Sequence, residues 1–305
     1  VVVATLALVL TVPAVAPAEE PDRSPWDVTL GGRLAYASGY TTWNLAAPSG
    51  SPNVLSELTW RGVDSVVTEV YAQAVWKRLV LQGALGIGPI IGGAFIDNDY
   101  AADDRQDRIS STRSSVTDSF LLYFDVDVGF RLFSWRQPKS YVPGFLDGFV
   151  GYQLWTEYYE AKGATGTTAV ASSAVVVQET FLFQSIRLGA QAQVPLYRGL
   201  ALRLRGAYLP YTWSDLWDNH PLRTDLQQDP SFHASADGGS GYQLEGAFVY
   251  DLGNRFSIEA GYRYWRIESG SGTVTAYTVS GNVSSRLNEI IIERYGPWVG
   301  MAYRF

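Results

Sequence analysis

From residue 27 onward the chain repeats one pattern, in which apolar and polar side chains alternate singly in runs separated by polar breaks. Ile258, Ala260, Tyr262 and Tyr264 alternate with Ser257, Glu259, Gly261 and Arg263; Phe124, Val126, Val128 and Phe130 alternate with Asp125, Asp127 and Arg131; Leu200, Leu202 and Leu204 alternate with Arg203 and Arg205. A period of two puts successive side chains on opposite faces of an extended strand. Ten strands are predicted, over residues 27–40, 55–76, 78–96, 117–135, 146–161, 177–196, 200–217, 241–252, 255–267 and 287–305. An apolar outside with charges inside is the reverse of a soluble barrel, and lipid is the surrounding that such an outer face suits. Backbone groups in lipid must all be paired, so the strands have to close on one another. The predicted fold is all-β: a ten-stranded antiparallel transmembrane β-barrel with long extracellular loops.

The connections sort by side. Those after strands two, six and eight are short, around Lys77, Tyr197-Arg198-Gly199 and Gly253-Asn254, and the one after strand four, with Pro138 and Pro143, is somewhat longer. The five after odd-numbered strands are long and rich in Ser, Thr, Gly and Asp, as in 161–176 and 269–286. The low-complexity stretch 163–177 reads as a mobile loop tip. Outer-membrane barrels keep their short turns in the periplasm and their long loops outside, so odd strands are expected to run outward.

The two ends agree with export. Residues 1–15, VVVATLALVLTVPAV, followed by Ala16-Pro17-Ala18 and Glu19-Glu20, have the apolar core and small-residue cleavage site of a signal peptide. The run is too short for a spanning helix. Cleavage is expected after Ala18, with Ala16 as the less favoured alternative, leaving residues 19–305 as one barrel domain. At the other end Val299, Met301 and Tyr303 share one face, and Gly300, Ala302 and Arg304 the other, before the chain stops at Phe305. That pattern resembles the last strand of bacterial outer-membrane barrels and implies the cell outer membrane.

Aromatic residues make up 14% of the chain, with 19 Tyr and 10 Trp, enough to furnish girdles at both membrane–water boundaries. The absence of cysteine excludes disulfides and thiolate metal sites, and no other metal or cofactor site is expected. A net charge of −7 without a basic stripe argues against nucleic acid as a partner. Inside the barrel Asp125, Asp127, Arg131, Arg203, Arg205 and Glu259 are expected to form a filling ion-pair network rather than a conduction path.

Two clusters carry the candidate chemistry: Asp97-Asn98-Asp99 after the third strand and Asp218-Asn219-His220 after the seventh. In each, the two ionisable residues are one apart and point to the same side of an extended chain. Both strands run outward, so both pairs fall at the extracellular rim, and four strands' separation in a ring of ten sets them nearly opposite across the mouth. Two close carboxylates raise the pKa of one of them. A neighbouring Asp fixes the tautomer of a His and supports its protonated form. Such a pair of pairs can hold and deprotonate a water. His233, in Ser-Phe-His-Ala-Ser, has no carboxylate at a useful sequence spacing and reads as a loop residue.

Over nearly the whole length the chain resembles the omptin family of outer-membrane endopeptidases. The resemblance rests on Ser56-Glu-Leu-Thr-Trp60, Phe95-Ile-Asp-Asn-Asp-Tyr100, Val150-Gly-Tyr-Gln153 and Trp217-Asp-Asn-His220. Omptins carry Asp-x-Asp followed by an aromatic residue after the third strand and Asp-x-His after the seventh. Asp97, Asp99, Asp218 and His220 fall on those positions, which implies hydrolysis of polypeptide substrates by a water attacking directly, without an acyl-enzyme. The same resemblance implies that Trp43 and Leu216 stand where familiar omptins place the acidic residues of the substrate pocket. Neither is acidic, so a preference for basic residues does not carry over. Of the lipopolysaccharide-binding arginines of the family, one expected position is Thr156 and another, near Glu179-Thr180, is missing. Either the dependence on lipopolysaccharide does not carry over, or it is served by other residues such as Arg187; outer-membrane lipids are expected partners, and the barrel is expected to be a monomer. The competing reading is a non-catalytic barrel whose loops do structural or adhesive work. A small porin is disfavoured by the charged lumen, and a lipid-modifying enzyme by the lack of a Ser paired with a His at a strand end.

Overall fold

A computed structural model describes residues 26–305, so the predicted signal segment lies outside the described residues. Among the described residues eleven strands are present: β1 (Trp26–Leu45), β2 (Ser56–Trp76), β3 (Leu79–Ala102), β4 (Gln106–Trp135), β5 (Gly144–Gly166), β6 (Val170–Tyr197), β7 (Leu200–Asn219), β8 (Phe232–Gly253), β9 (Phe256–Glu268), β10 (Gly272–Thr278) and β11 (Gly281–Arg304). Each of β1 to β8 pairs antiparallel with the next, and β11 pairs with both β9 and β1, closing the ring. β10 lies between β8 and β11 beyond the end of β9. β9 and β10 are therefore two lengths of one stave, and a section through the barrel cuts ten strands.

The strands run far past the predicted ends on one rim. β4 and β6 have 30 and 28 residues, whereas about 9–11 suffice to span a bilayer. The segment 161–176, expected to be a loop, belongs to β5 and β6 with a turn at 167–169, and 269–286 contains β10 and the start of β11. Polar Ser and Thr with interspersed Val are good strand formers when a neighbouring strand offers ladder partners. On a closed wall such a neighbour is available at every height: Ala161 pairs with Val177, and Gly272 with both Leu287 and Ala236.

The outer face carries a lipid-facing belt. Leu34, Ile87, Val128, Leu188, Leu244 and Val299 are all exposed. Exposed Trp26, Trp76, Tyr197 and Tyr250 ring it near the short-turn rim, and Tyr36, Tyr208, Trp213 and Tyr242 ring it towards the other. Aromatic girdles of this kind bracket a hydrocarbon layer.

The interior changes character with height. Beside the short-turn half it is the expected ion-pair network: Arg203 meets Glu259 at 2.8 Å, Arg131 meets Asp147 at 2.8 Å, Arg205 contacts Asp127, and Arg33 and Arg263 both reach Glu69. A cavity of about 30 Å³ remains among Arg33, Glu69, Asp125, Arg187 and Arg263. That is room for roughly one water. Higher up, the inward row turns aromatic, contrary to a uniformly charged interior. Tyr123, Trp155 and Trp265 pack with centroids 4.9–5.4 Å apart, and Trp60 stacks on Tyr159 and tilts against Phe95, each at 4.4 Å. This plug is the floor on which the rim site stands.

Candidate active site at the long-loop rim

β3 carries Asp97 and Asp99 above the girdle because both flanking strands stay paired to that height. Asp97 faces Leu58 of β2 and Thr112 of β4, and Asp99 faces Ser56 and Ser110. Phe95, on the same face two residues earlier, is buried in the plug, so Asp97 and Asp99 continue an inward row into the half-buried mouth. Ser56 Oγ donates to Asp97 Oδ1 at 3.5 Å.

β7 ends at Asn219 because Pro221 has no N–H for a further ladder bond. The turn that follows is closed tightly around His220. The His220 N–H donates to Ser231 Oγ at 3.0 Å, its carbonyl accepts from the Arg223 N–H at 3.0 Å, and the Ser231 N–H donates to the Asp218 carbonyl at 2.8 Å. The ring packs edge-on against Phe232, with centroids 5.5 Å apart. Nε2 lies 2.9 Å from Asp218 Oδ2. An ionised carboxylate only accepts, so Nε2 donates, and Nδ1 is the nitrogen left with a lone pair.

The two predicted pairs come together electrostatically. Burial, with the charges of Asp99 and Asp218, pushes Asp97 up to about 7, against a lowering pull from His220. His220 itself is raised: burial works against its charged form, but Asp218, through charge and hydrogen bond, and Asp97 outweigh it. Groups that shift one another in this way titrate as a set. Among the described residues no group of three or more His, Asp or Glu side chains is arranged to hold a metal ion.

Trp43 and Leu216 are 1% and 0% exposed. Both belong to the plug cluster, so in this arrangement neither offers surface to a substrate side chain. The Trp43 indole Nε1 donates across the barrel to Glu179 Oε1 at 2.9 Å, and Trp60 Nε1 donates to Glu179 Oε2. Glu179 is fully buried, directly paired with Asp218 across β6 and β7, and raised well above the ordinary carboxylate range by burial and by the charges of Asp218 and Asp97, against the lowering effect of the two indoles. Sequence reasoning missed it as a site residue. Its signal was a lone carboxylate in the inward row of Val177, Phe181 and Phe183.

Two other expectations are corrected. His233 is a β8 strand residue with a carboxylate partner: its Nε2 lies 3.1 Å from Asp215, and its ring stacks on Trp217. The sequence spacing of 18 residues hid a pairing created by the β7–β8 ladder, which sets His233 opposite Trp217. Arg187 is buried in the lumen with Nη1 2.6 Å from Asp125, and so cannot serve lipid on the outer wall.

A family model described as Pom, Protochlamydia outer membrane protein, matches residues 34–146, which is less than half of the chain. Among solved structures, the outer membrane protease OmpT from Escherichia coli is similar over 94% of this chain and 99% of its own, at 15% identity and a TM-score of 0.73. The translocator domain of the autotransporter NalP from Neisseria meningitidis is similar over 94% and 90%, at 12% identity and a TM-score of 0.37. No curated protein matches the chain. The closed antiparallel ring, the lipid-facing belt, the match to the outer-membrane protein family model and the likeness to OmpT agree on the class: this is a β-barrel protein of the outer membrane.

Proposed function

We propose that the barrel is an omptin-like endopeptidase, hydrolysing peptide bonds at the cell surface with a water activated by the Asp97, Asp99, Asp218 and His220 set. The observation that carries this reading is the meeting, at one rim, of a carboxyl raised to about 7 with an Asp-paired histidine from another wall. Nδ1 of His220 takes the proton of the attacking water, Asp218 holds the imidazole and supports its charged form, and Asp97 with Asp99 orients the water and the developing tetrahedral centre. The overall fold shared with OmpT supports the assignment. The long polar strand extensions at this rim, against short turns at the other, support reading it as the cell-surface side.

The test is digestion of a broad peptide library by the refolded, lipopolysaccharide-supplemented barrel in ¹⁸O-labelled water. The expected result is endopeptidase cleavage with label in the new carboxyl terminus and no covalent acyl-enzyme. Absence of any cleavage would give way to the non-catalytic reading, in which the loops do structural or adhesive work.

A further inference from the structure

Glu179 is a buried acid that the proposed chemistry does not use. It faces the interior from β6, directly paired with Asp218 on β7. Side chains so paired on one face have Cβ atoms about 4.5–5.5 Å apart. Its two oxygens accept from neutral indoles, Trp43 on β1 and Trp60 on β2, so two hydrogen bonds tie the wall bearing His220 to the wall opposite. Among the described residues no cation is paired with it. The ionisable groups that bear on it are Asp218 and Asp97, both acids, with His220 beyond Asp218. A fully buried carboxyl without a cation and beside other carboxylates favours its neutral form. On the other side of the pair, Asp218 gives Oδ2 to His220, while its Oδ1 is buried without a hydrogen-bond partner among the described residues. A buried acceptor of that kind calls for a donor, and a carboxylic acid on the paired residue can supply one.

We propose that Glu179 is the positioning residue of this site: as a neutral acid clamped by Trp43 and Trp60, it donates a hydrogen bond from its O–H to Oδ1 of Asp218 and so fixes the carboxylate that orients His220. Resting on the endopeptidase reading for its role, the proposal makes the site a chain of Glu179, Asp218 and His220 rather than a dyad. The hydrogen bond spreads part of the charge on Asp218 and sets the two oxygens apart, one for the acid below and one for the imidazole above. Burial raises the pKa of Glu179, in keeping with its acid form.

The test is NMR titration of the His220 ring in wild type, Glu179→Gln and Glu179→Leu, with His233→Gln used to assign the signals. The amide of Glu179→Gln can accept from an indole and donate to Asp218, so the His220 pKa should stay where it is in wild type. Glu179→Leu removes the donor, leaves Asp218 with its full charge and should move the His220 pKa upward. Where cleavage is measurable, Glu179→Leu should lower kcat about tenfold or more with little change in KM, and Glu179→Gln should retain most of it. A protonated-carboxyl stretch in the wild-type minus Glu179→Gln infrared difference spectrum should accompany this, and it stands even if Glu179→Leu does not refold. A downward shift of His220 in both variants would mean that Glu179 is an anion, and no shift in either would mean that it makes no hydrogen bond to Asp218; each overturns the proposal. If the wild-type barrel cleaves nothing, the endopeptidase reading fails, and the titration still decides the role of Glu179.

Discussion

Trp43 on β1 and Glu179 on β6 meet across the barrel through one indole hydrogen bond of 2.9 Å. The position where an acidic pocket wall was sought is thus occupied by an indole docked on an acid beneath the surface. With Glu157 paired to Arg294 and Asp215 turned to His233, neither of those acids faces the mouth either.

Cleavage is therefore expected to show no strong preference for Arg or Lys beside the cut, since a buried cation without a partner costs several kcal/mol, on the order of 3–5. Peptide-library profiling reads this directly. Trp43→Ala, which admits water to Glu179 and so lets it ionise, should raise the relative rate on basic peptides roughly fivefold, the scale of one partly exposed charge pair of about 1 kcal/mol. A sharp basic preference in wild type would contradict the filled pocket.

The orientation predicts that residues 101–116 and 221–239 are accessible on intact cells and that 138–143 are not. The latter fold against the short-turn rim: Ser140 Oγ donates to the Arg198 carbonyl at 2.7 Å, and the Arg198 N–H donates to the Lys139 carbonyl at 2.8 Å. A tag inserted in 221–239 that antibody cannot reach on whole cells would reverse the topology.

The ten-strand ring, the outward belt and the two candidate pairs at one rim were legible in the sequence, because a period of two and an Asp-x-Asp or Asp-x-His spacing are local facts. What was not legible depends on the far side of the ring. Glu179 acquires meaning only through Trp43, Trp60 and Asp218, which are distant in sequence and brought together by closure. His233 finds Asp215 by the same route. Polar strand extensions such as Ala161–Gly166 of β5 look like loops until a neighbouring strand supplies their ladder.

The coupling at the rim gives a signed pH prediction. Asp218 and Asp97 both raise the His220 pKa, Asp218 more strongly. NMR titration should show that pKa falling in Asp97→Asn and falling further in Asp218→Asn. Activity needs His220 neutral before substrate arrives. It should therefore be low in acid and rise with an apparent pKa above the ordinary imidazole value, because Asp97 loses its proton near 7 and holds the histidine charged to higher pH. A profile flat from acid to alkaline pH would rule out His220 as the base.

The plug is expected to matter for stability independently of chemistry. Arg294 and Glu157, both fully buried, pair at 2.8 Å. Arg294→Met leaves Glu157 without its cation and should cost about 3–5 kcal/mol. Urea titration of heat-modifiable gel mobility would detect it, and a midpoint equal to wild type would show that the pair carries no such weight.

The central claim is that Asp97, Asp99, Asp218 and His220 form one hydrolytic site, and the most direct test is the turnover of His220→Ala against wild type on a peptide that the wild-type barrel cleaves. The account predicts a loss of at least ~10²-fold, the scale of a positioned acid–base group, in a variant whose heat-modifiable mobility shows an intact barrel. Equal cleavage by His220→Ala and wild type would contradict it.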